Sequence, residues 1–289
     1  MRKNIKTQIK IIFSPRCLEY CQTGHPESPE RVNKSWQFLK EKGFDFIEPE
    51  PAEEKDLLAV HDSELIEKVK LGNFFDLDTP NLPNIYEYAR LSSGAAVAAA
   101  ELALKNKKSF SLMRPPGHHA GRAELGGFCY FNNIAIAVEK IIKRAGRIAI
   151  VDFDCHHGQG TEEIFLGRQD VIYVSLHQRG IYPGTGLESI KNSFNFPLAG
   201  GTRPLEYLAI FNQGLEEVKK FRPNLIAVSA GFDTYKEDPI GGLKLESETY
   251  REIGKKLKRF DLPLFGVLEG GYSATLPECI WNFLQGLED

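Results

Sequence analysis

The sequence predicts a single α/β domain of three layers, with a mostly parallel, twisted sheet covered by helices on both faces. Short apolar runs rich in Ile and Val alternate with longer segments of helical periodicity, which is typical of strands buried on both faces. Polar residues that a core would not select follow four of these runs. No long linker, charge block or repeat divides the 289 residues, so we expect one domain over residues 1–289.

The predicted elements alternate along the whole chain. The predicted strands are 9–13, 109–113, 147–154, 170–177, 224–233 and 262–272. The predicted helices are 29–43, 57–71, 85–106, 132–145, 204–221, 247–259 and 276–287. Turn-forming Pro, Asn and Asp residues predict loops at 76–84 and 198–204.

Composition excludes several classes of protein. Lys and Arg number 36 against 39 Asp and Glu, so direct binding of nucleic acid is not expected. The sequence has no apolar run long enough to cross a bilayer, and the basic start has too short an apolar run for a signal peptide. Five cysteines without a CxxC pair do not indicate a disulfide framework. We therefore expect a reduced, cytoplasmic protein without a membrane partner.

The polar residues that follow the strands predict a metal site. Alternate residues of an extended segment share a face, so Asp152, Asp154 and His156 can point the same way. Asp233, after a later strand, is the natural third ligand beside Asp154 and His156, since ligands bind at the carboxyl ends of parallel strands. Two carboxylates and an imidazole favour zinc, with Fe(II), Co(II) or Mn(II) possible, and leave a coordination position open.

Three further groups predict acid–base chemistry at the same edge. The tandem His118-His119 can transfer protons near neutral pH, and Asp152 can fix the tautomer of one of them. Tyr272, which follows a Gly-Gly pair, can donate a hydrogen bond to a developing oxyanion. Each group alone has an ordinary structural explanation, but four of the seven histidines fall in two tandem pairs at strand ends. The other histidines are expected to be structural or surface residues: His25, His61 and His177.

Nearly the whole chain resembles the histone deacetylase and acetylpolyamine amidohydrolase family, in particular class II deacetylases and their bacterial and archaeal homologues. The motifs that carry the resemblance occur in one order, which makes the set far more specific than any single motif. They include GHPESPERV (24–32), RPPGHHA (114–120), GGFCYFNNIAIA (126–137), VDFDCHHGQGTEE (151–163), YPGTG (182–186), SAGFDTYKEDPIGG (229–242) and LEGGY (268–272). The resemblance implies the arginase-like α/β fold with a metal at the strand ends.

Two cation sites are implied by the resemblance. The zinc site, with one ion per chain, is implied at Asp154, His156 and Asp233. A structural potassium site of the family is implied at Asp152, Asp154, His156, Ser175 and Leu176.

The resemblance also implies the catalytic roles. His119 corresponds to the general base and acid, and His118, backed by Asp152, to its electrostatic partner. Tyr272 corresponds to the residue that polarises the scissile carbonyl. Together these residues imply hydrolysis of an amide by metal-activated water.

Further residues correspond to the family's substrate tunnel. The carbonyl of Gly127 is implied to hold the substrate amide N–H, and Phe128 and Tyr182 to form the aromatic walls. Arg31 resembles the arginine that lines an internal cavity for acetate release. Ile240 stands where a polyamine-selective relative has an acid, which favours acyl-lysine over acetylpolyamine substrates.

One departure from the family concerns the partner of His119. Gln159 stands where the family has Asp or Asn, so the sequence leaves the pKa of His119 open. A longer amide can still accept the hydrogen bond from this histidine.

The leading hypothesis from the sequence is a zinc-dependent hydrolase that removes acetyl or another short acyl group from lysine in proteins or peptides. The alternatives are an acetylpolyamine or other small-molecule amidohydrolase, a two-metal ureohydrolase of the same fold class, and a non-catalytic acyl-lysine binding module. The sequence does not determine the natural substrate, the acyl-chain preference or the oligomeric state.

Overall fold

A computed structural model describes residues 8–289, which form a parallel sheet between layers of helices. The strands of this part are β1 (Lys10–Ile12), β2 (Asp45–Ile47), β3 (Ser109–Ser111), β4 (Ile148–Asp152), β5 (Val171–Gln178), β6 (Ser193–Leu198), β7 (Leu225–Ala230) and β8 (Leu264–Leu268). Its α-helices are α1 (Pro29–Glu41), α2 (Glu54–Leu58), α3 (Ser63–Leu71), α4 (Ile85–Ala103), α5 (Asn133–Ala145), α6 (Gln159–Phe165), α7 (Pro204–Phe221), α8 (Ser247–Lys258) and α9 (Leu276–Glu288). A short 3-10 helix, Pro15–Leu18, follows β1.

The sheet has the order β2-β1-β3-β8-β7-β4-β5-β6, and every neighbouring pair is parallel. The inner strands β4, β7 and β8 are buried along their whole length, which explains their continuous apolar sequences. The strands β3, β8, β7 and β4 are consecutive in the sheet, so the loops that follow their carboxyl ends meet at one edge. The predicted parallel sheet is confirmed.

The sequence-based prediction lacks the two edge strands of the sheet, β2 and β6. β2 is half-buried and carries Asp45, and β6 contains Pro197 and Asn195 between its apolar residues. Pro is confined to edge strands because it cannot donate to the ladder, and such a sequence does not differ clearly from a loop.

The prediction of one helix over residues 57–71 is wrong. The structure has α2 and α3, separated by residues 59–62. The separation places His61 inside the protein, where its Nδ1 lies 2.7 Å from the Gly121 carbonyl oxygen and its Nε2 accepts the Asn132 N–H at 2.9 Å. His61 is therefore a structural residue, as expected. At the break the Asp62 N–H donates to the Arg122 carbonyl oxygen at 2.8 Å instead of to a carbonyl of the preceding helical turn.

A buried ion cluster joins the segment before α1 to the loop after β3. The guanidinium of Arg114, which is fully buried, donates to both Glu27 carboxylate oxygens at 2.7 Å. Arg31 of α1 donates to the same carboxylate at 3.2 Å. Burial alone would raise the pKa of Glu27, but Arg114 and Arg31 outweigh it and lower this pKa below its usual range. The cluster fixes the start of the loop that carries the tandem histidines.

Within residues 8–289, no helix has both the length and the apolar character that a membrane span requires. Residues 1–7, which belong to the basic start considered above, lie outside the described residues.

Candidate active site

Strand β4 ends at Asp152, and the segment after it forms a turn. The Asp154 N–H donates to Asp152 Oδ1 at 3.1 Å, and the His156 N–H donates to Asp154 Oδ1 at 2.9 Å. The prediction that Asp154 and His156 lie together is met, but the reason given for it, a common face of an extended run, is wrong. Carboxylate-to-backbone hydrogen bonds form the turn instead, and they bring Asp154 and His156 together.

Asp154, His156 and Asp233 form a cluster whose ligand atoms all lie within 4.8 Å of one another. His156 Nδ1 lies 3.2 Å from Asp154 Oδ1 and 2.8 Å from Asp233 Oδ2. Gly270 lies so close that an added Cβ would be 2.5 Å from Asp233 Oδ2 and 2.6 Å from Asp154 Oδ2. The lack of a side chain at Gly270 therefore allows the β8 loop to approach the cluster.

The donor set fits a small divalent cation. Burial, with Asp154 as the next cause, raises the pKa of Asp233 to about 7. Burial also opposes ionisation of Asp154, but His118 and His156 lower the pKa of that carboxyl well below its usual range. Two buried carboxylates facing one imidazole bind such a cation with favourable charge, and this set suits zinc. Among the described residues, this is the one cluster of metal-ligating groups.

His118 is held between carboxylates. Its Nδ1 lies 3.0 Å from Asp152 Oδ2, and its Nε2 lies 3.8 Å from Asp154 Oδ1. Tyr173 donates to the same Asp152 oxygen at 2.9 Å. Burial alone would lower the pKa of His118, but Asp152 and Asp154 outweigh it and raise this pKa to about 10. The bond to Asp152 therefore fixes which ring nitrogen of His118 faces that carboxylate.

His119 has a neutral partner that fixes its tautomer. Its Nδ1 lies 2.7 Å from Gln159 Oε1, while Gln159 Nε2 donates to the His119 carbonyl oxygen at 3.2 Å. The second bond sets the orientation of the amide, so Nδ1 carries the proton and Nε2 is left as a base. Burial, followed by the neighbouring His118 and His156, lowers the pKa of His119 well below its usual value.

Tyr272 lies in the loop after β8, beside the guanidinium of Arg31. The Arg31 Cζ is 4.7 Å from the centre of the Tyr272 ring, and the Phe128 ring is 5.9 Å away. Burial raises the pKa of Tyr272 well above its usual value, so the phenol stays protonated and can donate.

A cavity of about 310 Å³ opens onto these groups. The catalytic candidates His118, His119 and Tyr272 line it together with Asp154 and His156. The predicted tunnel residues that also line it are Gly127, Phe128, Tyr182 and Ile240.

Phe128 and Tyr182 supply aromatic rings to the cavity wall. The Phe128 ring lies 4.6 Å from the ring of His25, and the Tyr182 ring lies 5.0 Å from that of His119. Phe128 has a φ of 71°, a conformation that a bulky residue rarely adopts, and its N–H donates to Thr79 Oγ1 at 3.0 Å.

Several residues that line this cavity were not predicted from the sequence, and two of them, His25 and Asp78, have side chains that can carry charge. His25, expected to be structural or on the surface, lines it, and so does the exposed Asp78. Asp78 follows Asp76 in the predicted loop 76–84, and the carbonyl oxygen of Asp78 lies 3.1 Å from His25 Nε2. The signal for Asp78 was a pair of acids in a loop, which is common on any surface.

Arg31 does not line the cavity, and of the residues predicted to bind potassium only Asp154 and His156 do. Arg31 donates to the carbonyl oxygens of Gly271 and Glu269 at 2.8 and 2.6 Å. Ser175 lies opposite Asp152 in the β4–β5 register, with Leu176 next to it, and Ser175 Oγ lies 2.8 Å from His177 Nδ1. An acetate cavity at Arg31 and potassium binding at Ser175 and Leu176 stay predictions.

Comparison with known proteins agrees with this geometry. Residues 25–287 match the family described as the histone deacetylase domain. A probable deacetylase of Methanothermobacter thermautotrophicus is 38% identical, over 96% of this chain and 90% of that protein. Acetylpolyamine amidohydrolase 2 of Pseudomonas aeruginosa is 37% identical, over 76% of this chain and 68% of that protein.

A solved structure extends the likeness to the fold. The crystal structure of an acetylpolyamine aminohydrolase from Burkholderia pseudomallei superposes with a TM-score of 0.90 and 27% identity, covering 96% of this chain and 98% of the other. With the family match over residues 25–287, the chain belongs to the histone deacetylase family of amidohydrolases.

Proposed function

We propose that this amidohydrolase uses zinc to release a short acyl group from small N-acylated amines of the acetylpolyamine type. The observation that carries the proposal is the presence of His118, His119 and Tyr272 around the same cavity as the metal-ligating cluster. Relatives named acetylpolyamine amidohydrolase support a small amine as the substrate class. They favour this alternative over the acyl-lysine protein substrate that the sequence analysis preferred.

Charge at the mouth of the cavity supports a cationic leaving amine. The sequence argument against polyamines relied on Ile240, which offers no charge to a second ammonium. Asp78 nevertheless lines the same cavity, and Asp76 Oδ2 lies 3.9 Å from the position of a Cβ added to Gly126, the neighbour of the lining residue Gly127. An ammonium at the far end of an acylated diamine can pair with these acids without any acid at position 240.

Each side chain around the cavity has a separate role in the proposed hydrolysis. The neutral His119 takes a proton from the attacking water through Nε2 and returns it to the departing amine. His118, held through Nδ1 by Asp152, provides electrostatic support beside His119, and the Tyr272 hydroxyl donates to the oxygen of the scissile carbonyl. Zinc at Asp154, His156 and Asp233 would polarise that carbonyl and make water nucleophilic near neutral pH. Phe128 and Tyr182 would enclose the methylene chain.

A substrate comparison tests the proposal. We expect zinc-loaded protein to hydrolyse monoacetylated diamines with a kcat/KM about fivefold above that for an N-acetyl alkylamine of equal length, since a rim ion pair contributes up to about 1 kcal/mol. Asp78→Asn should reduce this preference and leave turnover of the uncharged amide unchanged.

Other outcomes of this comparison are equally informative. Efficient hydrolysis of acetyl-lysine peptides without turnover of acetylated diamines would replace the proposed substrate class by acyl-lysine. No turnover of any acylated amine would contradict the enzyme proposal as a whole.

The partner of His119 gives a separate prediction. Gln159→Leu removes the acceptor that holds Nδ1–H, so the base can adopt the wrong tautomer, and we expect kcat to fall about 10–100-fold with little change in zinc content. Gln159→Asn, which keeps an amide, should retain more activity than Gln159→Leu. Steady-state kinetics and metal analysis measure both effects; equal losses in the two variants would show that the tautomer is set by another group.

A further inference from the structure

Asp238 is a buried carboxylate that the proposed reaction does not use. It lies in the loop between β7 and α8, with 7% of its surface exposed, and it is not among the metal-ligating residues. Its Oδ2 accepts the N–H groups of Tyr272 at 2.7 Å and Ser273 at 3.1 Å. Its Oδ1 accepts the Ile240 N–H at 3.1 Å. One carboxylate thus joins the main chain of the phenol-bearing loop to that of a cavity-wall residue.

Arg31 holds the carbonyl groups of the same loop. Its guanidinium donates to the carbonyl oxygens of Glu269 and Gly271 and lies against the ring of Tyr272. The loop is therefore fixed twice, by a cation that binds its carbonyl groups and by an anion that binds its amide groups. Both fixing groups are buried, so water competes weakly for these hydrogen bonds.

The loop needs such support because of its own sequence. Tyr272 follows Gly270 and Gly271, and Gly271 has a φ of 122°. Gly270 must lack a side chain to approach Asp154 and Asp233, as described above, but two consecutive glycines give a backbone with much conformational freedom. A donor to an oxyanion has to be held within about 0.5 Å of its working position. The sequence that permits close approach therefore does not by itself fix the phenol.

We propose that Asp238 is a positioning residue that holds the Tyr272 hydroxyl in its working place and couples it to the cavity wall at Ile240. This inference rests on the proposed amide hydrolysis. It assigns to Asp238, in the motif SAGFDTYKEDPIGG (229–242), a role in orienting Tyr272 rather than in binding the second metal of a ureohydrolase.

Asp238→Asn is the first test, because it keeps the shape of the side chain while an NH₂ group must face backbone N–H donors. We expect kcat to fall about 10–100-fold, KM to change less than about threefold and zinc content to stay at the wild-type value. Asp238→Glu, which keeps the charge, should retain more activity. Asp56→Asn is the matched control. Asp56 of α2 is also buried, but its carboxylate accepts from Lys140 of α5 at 2.7 Å, so this variant should leave kcat unchanged.

A double-mutant cycle with Tyr272→Phe separates positioning from general stability. If Asp238 acts through the hydroxyl, Asp238→Asn should lower kcat less than about threefold further in the Tyr272→Phe background. A crystal structure of Asp238→Asn should show the Tyr272 ring displaced from the Arg31 guanidinium. If the loss of kcat in the double variant equals the product of the losses in the two single variants, or if the Tyr272 ring does not move, the inference is overturned.

The remaining outcomes are also decisive. If neither Asp238→Asn nor Asp238→Glu folds, as judged by thermal unfolding, Asp238 is a folding residue and the inference is overturned. An active wild type with an equally active Asp238→Asn removes this inference alone. A wild type without turnover on any acylated amine removes the proposed function, whatever the variant does.

Discussion

Replacing Asp233 by Asn is expected to abolish stable zinc binding and to lower amide hydrolysis by about a thousandfold or more. Asp233 provides one of two carboxylates in a three-residue donor set, and its oxygen lies 2.8 Å from His156 Nδ1. A neutral amide is a weaker ligand and leaves a single negative charge to balance a dication. The chemistry that a bound metal supplies is worth several kcal/mol, which corresponds to this factor in rate.

The measurement combines metal analysis after dialysis with single-substrate kinetics. Asp238→Asn serves as the comparison, because it removes a second buried carboxylate from the same loop without removing a ligand. We expect zinc to be lost from Asp233→Asn and kept by Asp238→Asn. Zinc retained at one ion per chain by Asp233→Asn, or lost equally from both variants, would contradict the assigned donor set.

The sequence predicted the parts of the site that depend on residue type and strand order. Carboxylates and imidazoles are rarely buried in a core without partners, so those that follow buried strands indicate a site at Asp154, His156 and Asp233. The strands that carry them, β4 and β7, are neighbours in the sheet. The geometry within the segment was beyond this reasoning. The turn at Asp154 is made by carboxylate-to-backbone hydrogen bonds, which a pattern of alternating residues does not reveal.

The residues that the sequence missed act through contacts between distant loops. His25 and Asp78 line the cavity together with their neighbours Pro26 and Leu77, which is a consequence of tertiary structure rather than of periodicity. The sequence analysis assigns no role to Asp238, because its partners, the N–H groups of Tyr272 and Ser273, are 34 and 35 residues away. Fold class therefore follows from local sequence patterns, whereas the contacts between distant loops that position the site residues do not.

Tyr272→Phe is expected to lower kcat about 100–1,000-fold while zinc content and the thermal unfolding temperature stay close to those of the wild type. The change removes one hydroxyl from a partly buried ring and leaves the contacts with Arg31 and Phe128 in place. That hydroxyl remains protonated at neutral pH because burial raises its pKa, and an oxyanion donor of this kind is worth about 3–4 kcal/mol in the transition state.

The same variant separates an enzyme from a binding module with the same pocket. A module would bind an acylated amine equally well in both forms and hydrolyse it in neither. An enzyme should show a loss in kcat with little change in KM, because the hydroxyl interacts most strongly with charge that develops on the carbonyl oxygen. Calorimetric binding of an acylated amine, measured beside its hydrolysis, decides between them, and equal hydrolysis by both forms would remove Tyr272 from the reaction.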